Sequence, residues 1–125
     1  MERTAKGTVE AYYLALSEGK ALAPFFAERA DLVKVGISER LEGFPAVERG
    51  LREQTETTTD WDVESRVLTV SEADGVAWFS DEVRMGWTEI ETNERHEFET
   101  RWSGTLVFEG GWRFVGMHVS VPREL

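Results

Sequence analysis

The sequence predicts an α+β domain in which a layer of helices covers one face of a curved antiparallel sheet. Two observations carry that expectation. Apolar residues recur at helical spacing only in the first half of the chain, whereas everything after residue 57 consists of β-rich runs divided by short turn-like separators. Helices first and strands afterwards, in place of strict alternation, signal segregated layers. With 125 residues, no internal repeat and no low-complexity segment, residues 1–125 are expected to form one domain around one core.

Val9, Tyr12, Tyr13 and Leu16 occupy the i, i+3, i+4 and i+7 positions of one helix face, and Gly19 follows as a stop. A first helix is therefore expected over residues 4–17. Residues 21–28, with Phe25 and Phe26, read as a short second helix, and residues 31–35 as a short strand ending at Gly36. After a turn at Glu42-Gly43, Pro45 suits the first residue of a third helix, on which Val47 and Leu51 share a face out to about residue 57. Strands are expected over residues 61–70, 76–88, 94–109 and 112–121. Their separators are Ala73-Asp74-Gly75, the stretch from Glu91 to Asn93, and Gly110-Gly111, short enough for neighbours to pair as an antiparallel meander.

Period-two alternation assigns the strand faces. Ala77, Phe79, Val83, Met85 and Trp87 share a face with one polar intruder, Asp81, and His96, Phe98, Thr100, Trp102, Leu106 and Phe108 share a face of the next strand. In the last strand Trp112, Phe114, His118 and Ser120 fall on one side and Val115, Met117, Val119 and Val121 on the other, an assignment that any bulge reverses beyond it. Apolar residues on both faces, such as Trp78 opposite Phe79, leave an outer face that three short helices do not cover. The expected cover is a second copy of the chain, a homodimer.

Charge and composition exclude several classes. The net charge of −10 leaves no clustered basic footprint, so neither nucleic acid nor an anionic membrane is an expected partner. The absence of cysteine removes disulfides, thiolate metal sites and a cysteine nucleophile, and fits a cytoplasmic location. Nothing at the N-terminus reads as a secretory leader, and the longest apolar stretch, residues 21–27, is broken by Pro24 and too short to span a bilayer. His96 and His118 stand apart from each other and lack paired metal-ligand spacing, so no metal and no cofactor is expected.

The segment from Arg101 to Phe108, followed by Gly110-Gly111-Trp112 and the run to His118-Val119-Ser120, resembles the C-terminal hairpin of SnoaL-like proteins in the nuclear transport factor 2-like superfamily. Their pattern is an Arg, a strand, a Gly-Trp turn and a terminal His-x-Ser. The association domain of calcium/calmodulin-dependent protein kinase II has a similar ending. Tyr12-Tyr13 ahead of Gly19, Phe25-Phe26-Ala27, and Glu42-Gly43 entering the third helix fit the same family, so the resemblance spans nearly the whole chain. It implies a cone-shaped fold with a pocket between the first helix and the concave sheet. Toward the steroid isomerases of that superfamily, Tyr12 matches their oxyanion-stabilising tyrosine, but Lys34 falls at the position of their carboxylate base and their second carboxyl falls near Gly104. Steroid isomerase chemistry is thereby disfavoured.

The expected function is a pocket that binds an unassigned small molecule, with two alternatives. One is a cofactor-independent isomerase, cyclase or dehydratase, with His118 or Asp81 as base and Tyr12 as oxyanion donor. The other is a non-catalytic dimerisation module. Candidate ligand-binding residues are Tyr12, Tyr13, Trp78, Arg101, Trp102, His118 and Ser120, with Arg101 as a fork for an anion and the tryptophans as aromatic walls. Each has a plainer reading: His118 as a satisfied buried histidine, Asp81 as the partner of Arg84 or Arg101, and the tryptophans as core.

Overall fold

A computed structural model describes residues 3–123 and Leu125. Helix α1 (Ala5–Ser17) begins where the Thr4 hydroxyl accepts the Gly7 N–H at 2.9 Å, an N-cap that satisfies one of the helix's orphan donors. It ends at Gly19, whose φ of 69° lets the Gly19 and Lys20 N–H groups donate back to Leu16 and Ala15 carbonyls. That paired closure is a Schellman motif. The buried face of α1 carries Ala5, Val9, Tyr12, Tyr13 and Leu16, in agreement with the sequence spacing.

The expected second helix over residues 21–28 is only a 3₁₀ turn, Ala23–Phe25, so the helical layer has two α-helices and not three. Phe26 leaves the turn in an extended conformation, bridges to Phe114, and the Ala27 N–H donates to the Phe114 carbonyl at 2.9 Å. The extended conformation buries the Phe26 ring against that strand, where it is 2% exposed.

Short strands β1 (Val33–Val35) and β2 (Arg40–Glu42) follow, then α2 (Phe44–Thr57), which presents Val47 and Leu51 to the core. The remaining strands are β3 (Thr58–Ser65), β4 (Thr69–Ala73), β5 (Val76–Glu89), β6 (Arg95–Phe108) and β7 (Trp112–Ser120). The seven-stranded sheet runs β2-β1-β7-β6-β5-β3, with β4 also on β5. All pairings are antiparallel except β1 with β7, which is parallel. The expected wholly antiparallel sheet is corrected there, because β1 comes from the helical half of the chain and reaches β7 by docking, not through a hairpin.

The run expected as one strand over residues 61–70 is broken. β3 and β4 lie end to end along one edge of β5, opposite Val83–Glu89 and Val76–Ser80 respectively. Asp74 and Gly75, with φ of 52° and 77°, turn β4 tightly into β5. β7 carries a bulge: Gly116 pairs with Thr105 and Phe114 with Leu106, leaving Val115 as the extra residue. Phe114, Met117 and Val119 therefore all point inward, and His118 and Ser120 lie on the outer face. The face assignment expected for residues 115–120 is reversed by that one residue.

The core lies between α1, α2 and the concave face. The Tyr12 ring packs edge-on against Phe25, Phe26, Trp102 and Phe114 at centroid distances of 5.6, 5.8, 6.1 and 5.4 Å. No helix is long and apolar enough to cross a membrane, among the described residues.

Gly104 permits β6 and β7 to close over Phe79. A Cβ there would strike the Gly116 carbonyl oxygen and lie 2.8 Å from the Phe79 ring. Gly104→Ala is expected to destabilise the fold by about 2 kcal/mol, because overpacking forces backbone to move. Gly116→Ala, whose Cβ meets open space, is expected to cost less than about 0.5 kcal/mol. Urea denaturation of both variants checks the contrast.

Candidate functional site

Between α1, α2, β1 and the concave sheet lies a cavity of about 360 Å³. Tyr12 and Trp102 form its inner wall, while Trp61, Met85 and Trp87 form the wall toward the open end of the sheet. Trp61 stacks on Trp87 at 4.8 Å and 19°, and the Trp102 indole N–H donates to the Thr100 hydroxyl at 2.9 Å, which fixes the ring's orientation. Burial pushes the Tyr12 phenol above its ordinary pKa, so at neutral pH it is an O–H donor. No hydrogen-bond partner exists for that hydroxyl among the described residues, yet no sealed side-chain polar atom lacks a partner. The oxygen therefore faces the cavity it lines.

Lys34 brings the cation. Its neighbours Val33 and Val35 place it on β1 in register with Met117 of β7, and Met117 faces inward, so Lys34 does too. The side chain is 8% exposed, and Nζ lies 3.6 Å from Glu39 Oε1. An ammonium group seeks three acceptors, and this one has a single carboxylate beyond hydrogen-bonding distance, among the described residues. By the same reasoning as for Tyr12, Nζ opens to the cavity. Burial lowers its pKa, and the Glu39 charge opposes that shift. Gln54 on α2 adds a polar group to the same wall.

The structure separates the residues that the sequence grouped. Tyr12 and Trp102 line the cavity. Arg101, His118 and Ser120 sit together on the outer face, across the sheet from Tyr12, in a shallow groove whose lining also includes Asp81 and Trp102. His118 is exposed there, so the reading of a buried, satisfied histidine is also set aside. Trp78 is 50% exposed on the outer face. Tyr13 is buried beside Trp102, their ring centroids 5.3 Å apart, and its hydroxyl donates to Asp81 Oδ2 at 2.9 Å.

Asp81 faces inward as alternation requires, but it pairs with neither Arg84 nor Arg101. Arg84 instead bridges Asp62 and Glu97. The Asp81 carboxylate accepts from the Tyr13 hydroxyl, from the Ser65 hydroxyl at 2.5 Å and from the Val67 N–H at 2.9 Å. Its lone pairs are engaged within the break between β3 and β4, which leaves it poorly placed to take a substrate proton. Burial, then the Asp81 charge, push the Tyr13 phenol above its ordinary value.

The profile of the SnoaL-like domain matches residues 6–124. The chain belongs to the SnoaL-like family. The SnoaL-like chain shares its fold with a nuclear transport factor 2-like superfamily protein from Salmonella enterica, at 12% identity and a TM-score of 0.82 over 94% of this chain and 87% of that one. A provisionally named dehydratase of the same superfamily from Streptomyces avermitilis gives 14% identity and a TM-score of 0.81, covering 94% and 93%. A provisionally named calcium/calmodulin-dependent protein kinase type II association domain from Thiobacillus denitrificans gives 16% identity and a TM-score of 0.77, covering 98% of each chain. No curated protein is significantly similar in sequence. At these identities the likeness fixes the fold of the SnoaL-like chain and no chemistry.

Sequence reasoning noted Lys34 only as a residue standing in for a carboxylate and missed it as a pocket cation. The available signal was a lone lysine between two valines in a strand, which alternation places on a single face. A stability measurement tests the buried placement. Because the folded state lowers the Lys34 pKa below its ordinary 10.5, the unfolded chain holds that proton more tightly than the native one. The resulting penalty is full below the folded-state pKa and is relieved as pH rises toward 10.5. Lys34→Met is therefore expected to match or exceed the wild type in stability at neutral pH, with the wild type gaining on it in alkaline solution. Tyr12 and Tyr13, held neutral in the fold, lose stability above pH 10 in both proteins and cancel in the difference. Urea midpoints across that window check the sign.

Proposed function

We propose that this SnoaL-like domain binds a small, flat, apolar or weakly anionic molecule in the cavity between the helices and the concave sheet. The observation that carries the reading is the juxtaposition, in one cavity, of aromatic walls with two polar groups, the unpartnered Tyr12 hydroxyl and Lys34 Nζ, whose one charged partner, Glu39, lies 3.6 Å away. A volume of about 360 Å³ suits a one- or two-ring ligand, and flat rings pack well against Trp61, Trp87 and Trp102. Lys34 and Tyr12 offer a cation and a hydrogen-bond donor to a carboxylate, phenolate or carbonyl oxygen. An open cavity supports binding over a purely structural dimerisation role, in which side chains would fill that space.

Catalysis is the second reading. If it occurs, the donor is Tyr12, and the charge that meets a developing oxyanion comes from Lys34, since His118 lies across the sheet and Asp81 is engaged. A related fold bears a dehydratase name, and loss of water through an enolate fits such donors.

Quenching of tryptophan fluorescence by 2-naphthoate tests the site. Lys34→Met is expected to weaken binding at least about tenfold, equivalent to about 1.4 kcal/mol, and Tyr12→Phe to weaken it less. Binding that survives Lys34→Met but is lost in His118→Ala would move the site to the outer groove.

We also propose that the chain pairs as a homodimer through the outer face of β5 and β6. Val76 pairs with Val107 and Trp78 with Thr105 there, followed by Glu82 opposite Arg101, so a two-fold copy meets an apolar end and complementary charges. Met117 and Val119 drop out of this surface because the β7 bulge buries them. Light scattering on an eluting peak is expected to give a dimer mass for the wild type and a monomer mass for Trp78→Glu; a monomeric wild type overturns the proposal.

A further inference from the structure

We propose that Lys34 is an amine nucleophile that condenses with the carbonyl carbon of an aromatic aldehyde or ketone held in the cavity. The inference rests on the cavity reading above and adds a reaction to it.

Three features of the site lead there. First, Nζ opens into an enclosure walled by Tyr12, Trp102 and Trp87, so a flat carbonyl compound packed on those rings brings its functional group to the lysine end. Second, the amine is poorly held as an ammonium ion. Its side chain is 8% exposed and its one charged partner, Glu39 Oε1, is 3.6 Å away, too far for a hydrogen bond. Burial favours the neutral amine, the form with a free lone pair. Third, proton carriers stand in place. Glu39 is half exposed and lines the same cavity, and the Tyr12 hydroxyl is an unpartnered donor.

The step balances with these groups alone. The ammonium proton passes to Glu39, and the Nζ lone pair attacks the carbonyl carbon while the carbonyl π pair moves to oxygen. That oxygen accepts a hydrogen bond from Tyr12 and takes the second nitrogen proton to give a neutral carbinolamine. Glu39 then returns the first proton to the hydroxyl group, which leaves as one water while the nitrogen lone pair closes the C=N bond, giving an iminium that keeps the third proton on nitrogen. No oxidant, reductant or metal is needed. An iminium at this position withdraws electrons from the α carbon, so a bound ketone that carries an α hydrogen becomes acidic there.

The chain is well suited to the test because its other lysines, Lys6 and Lys20, are both exposed on or near α1 and serve as internal references. Full-length protein is incubated at neutral pH with 2-naphthaldehyde and sodium cyanoborohydride, which reduces an imine to a stable secondary amine. Peptide mapping by mass spectrometry then locates the naphthylmethyl group, and tryptophan quenching measures occupancy in parallel. The expected result is labelling of Lys34 at least about tenfold faster than Lys6 or Lys20, because the cavity holds the aldehyde against it and burial favours its neutral amine. Glu39→Gln removes the group that takes and returns the proton in this step, and it is expected to slow Lys34 labelling at least about tenfold while tryptophan quenching is retained, since Glu39 is half exposed and its loss leaves the fold intact. In Lys34→Met the fast adduct disappears and only the slow reference labelling remains.

Quenching by naphthaldehyde with Lys34 labelled no faster than the exposed lysines overturns the nucleophile and leaves the cavity reading standing. Neither quenching nor preferential labelling overturns both. Slower labelling in Glu39→Gln together with competition by 2-naphthoate supports both, since a non-reactive acid then blocks the reactive amine by occupying its cavity.

Discussion

One buried carboxylate fixes the shape around the cavity. Asp81 ties three parts of the chain that are far apart in sequence: Tyr13 on α1, Ser65 at the end of β3, and the Val67 N–H in the break before β4. A charge in the interior is costly unless its lone pairs are occupied, and here hydroxyl and backbone donors occupy them. The same contacts hold α1 onto the concave face and stabilise the bend that turns the β3–β4 edge around it. A polar residue on an apolar strand face thus acts as a joint, and its engagement in the joint takes it out of the site's chemistry.

The second constraint is the bulge at Val115. Adding one residue to β7 rotates the strand's facing, so Met117 and Val119 complete the core under α1 while His118 and Ser120 turn to the outer face. Gly104 makes the close approach possible, since any side chain there would collide with the Gly116 carbonyl. The consequence is a division of labour between the two sheet surfaces. The inner one is aromatic, with a single lysine at its edge. The outer one combines an apolar end around Trp78 with a polar groove around Arg101 and His118.

Lys34 is where burial and charge pull apart. A methionine of similar length would fill its space without the cost of removing an ammonium ion from water. A chain that keeps the lysine carries a desolvated amine beside aromatic rings, held by one distant carboxylate. In its charged form such a group gains from pairing with an anion, and in its neutral form its lone pair is free. The acidic surface, with a net charge of −10, places this cation in a generally negative field.

Much of the fold was legible in the residues. The spacing of Val9, Tyr12, Tyr13 and Leu16, the stop at Gly19, and the Asp74-Gly75 turn all act through neighbours within a few positions, so local pattern determined them. The resemblance placed these elements in the cone-shaped fold, and Tyr12 and Trp102 emerged as pocket residues from it and from strand alternation. The 3₁₀ turn at Ala23–Phe25, the parallel β1–β7 pair, the break between β3 and β4 and the Val115 bulge were not legible. Each is set by a contact between distant segments, which local periodicity does not encode. The site divides the same way: the sequence supplied an aromatic inner face, whereas only tertiary pairing put Lys34 into it and turned Arg101, His118 and Ser120 away, because the facing of a strand beyond a bulge depends on what it pairs with and not on its own alternation.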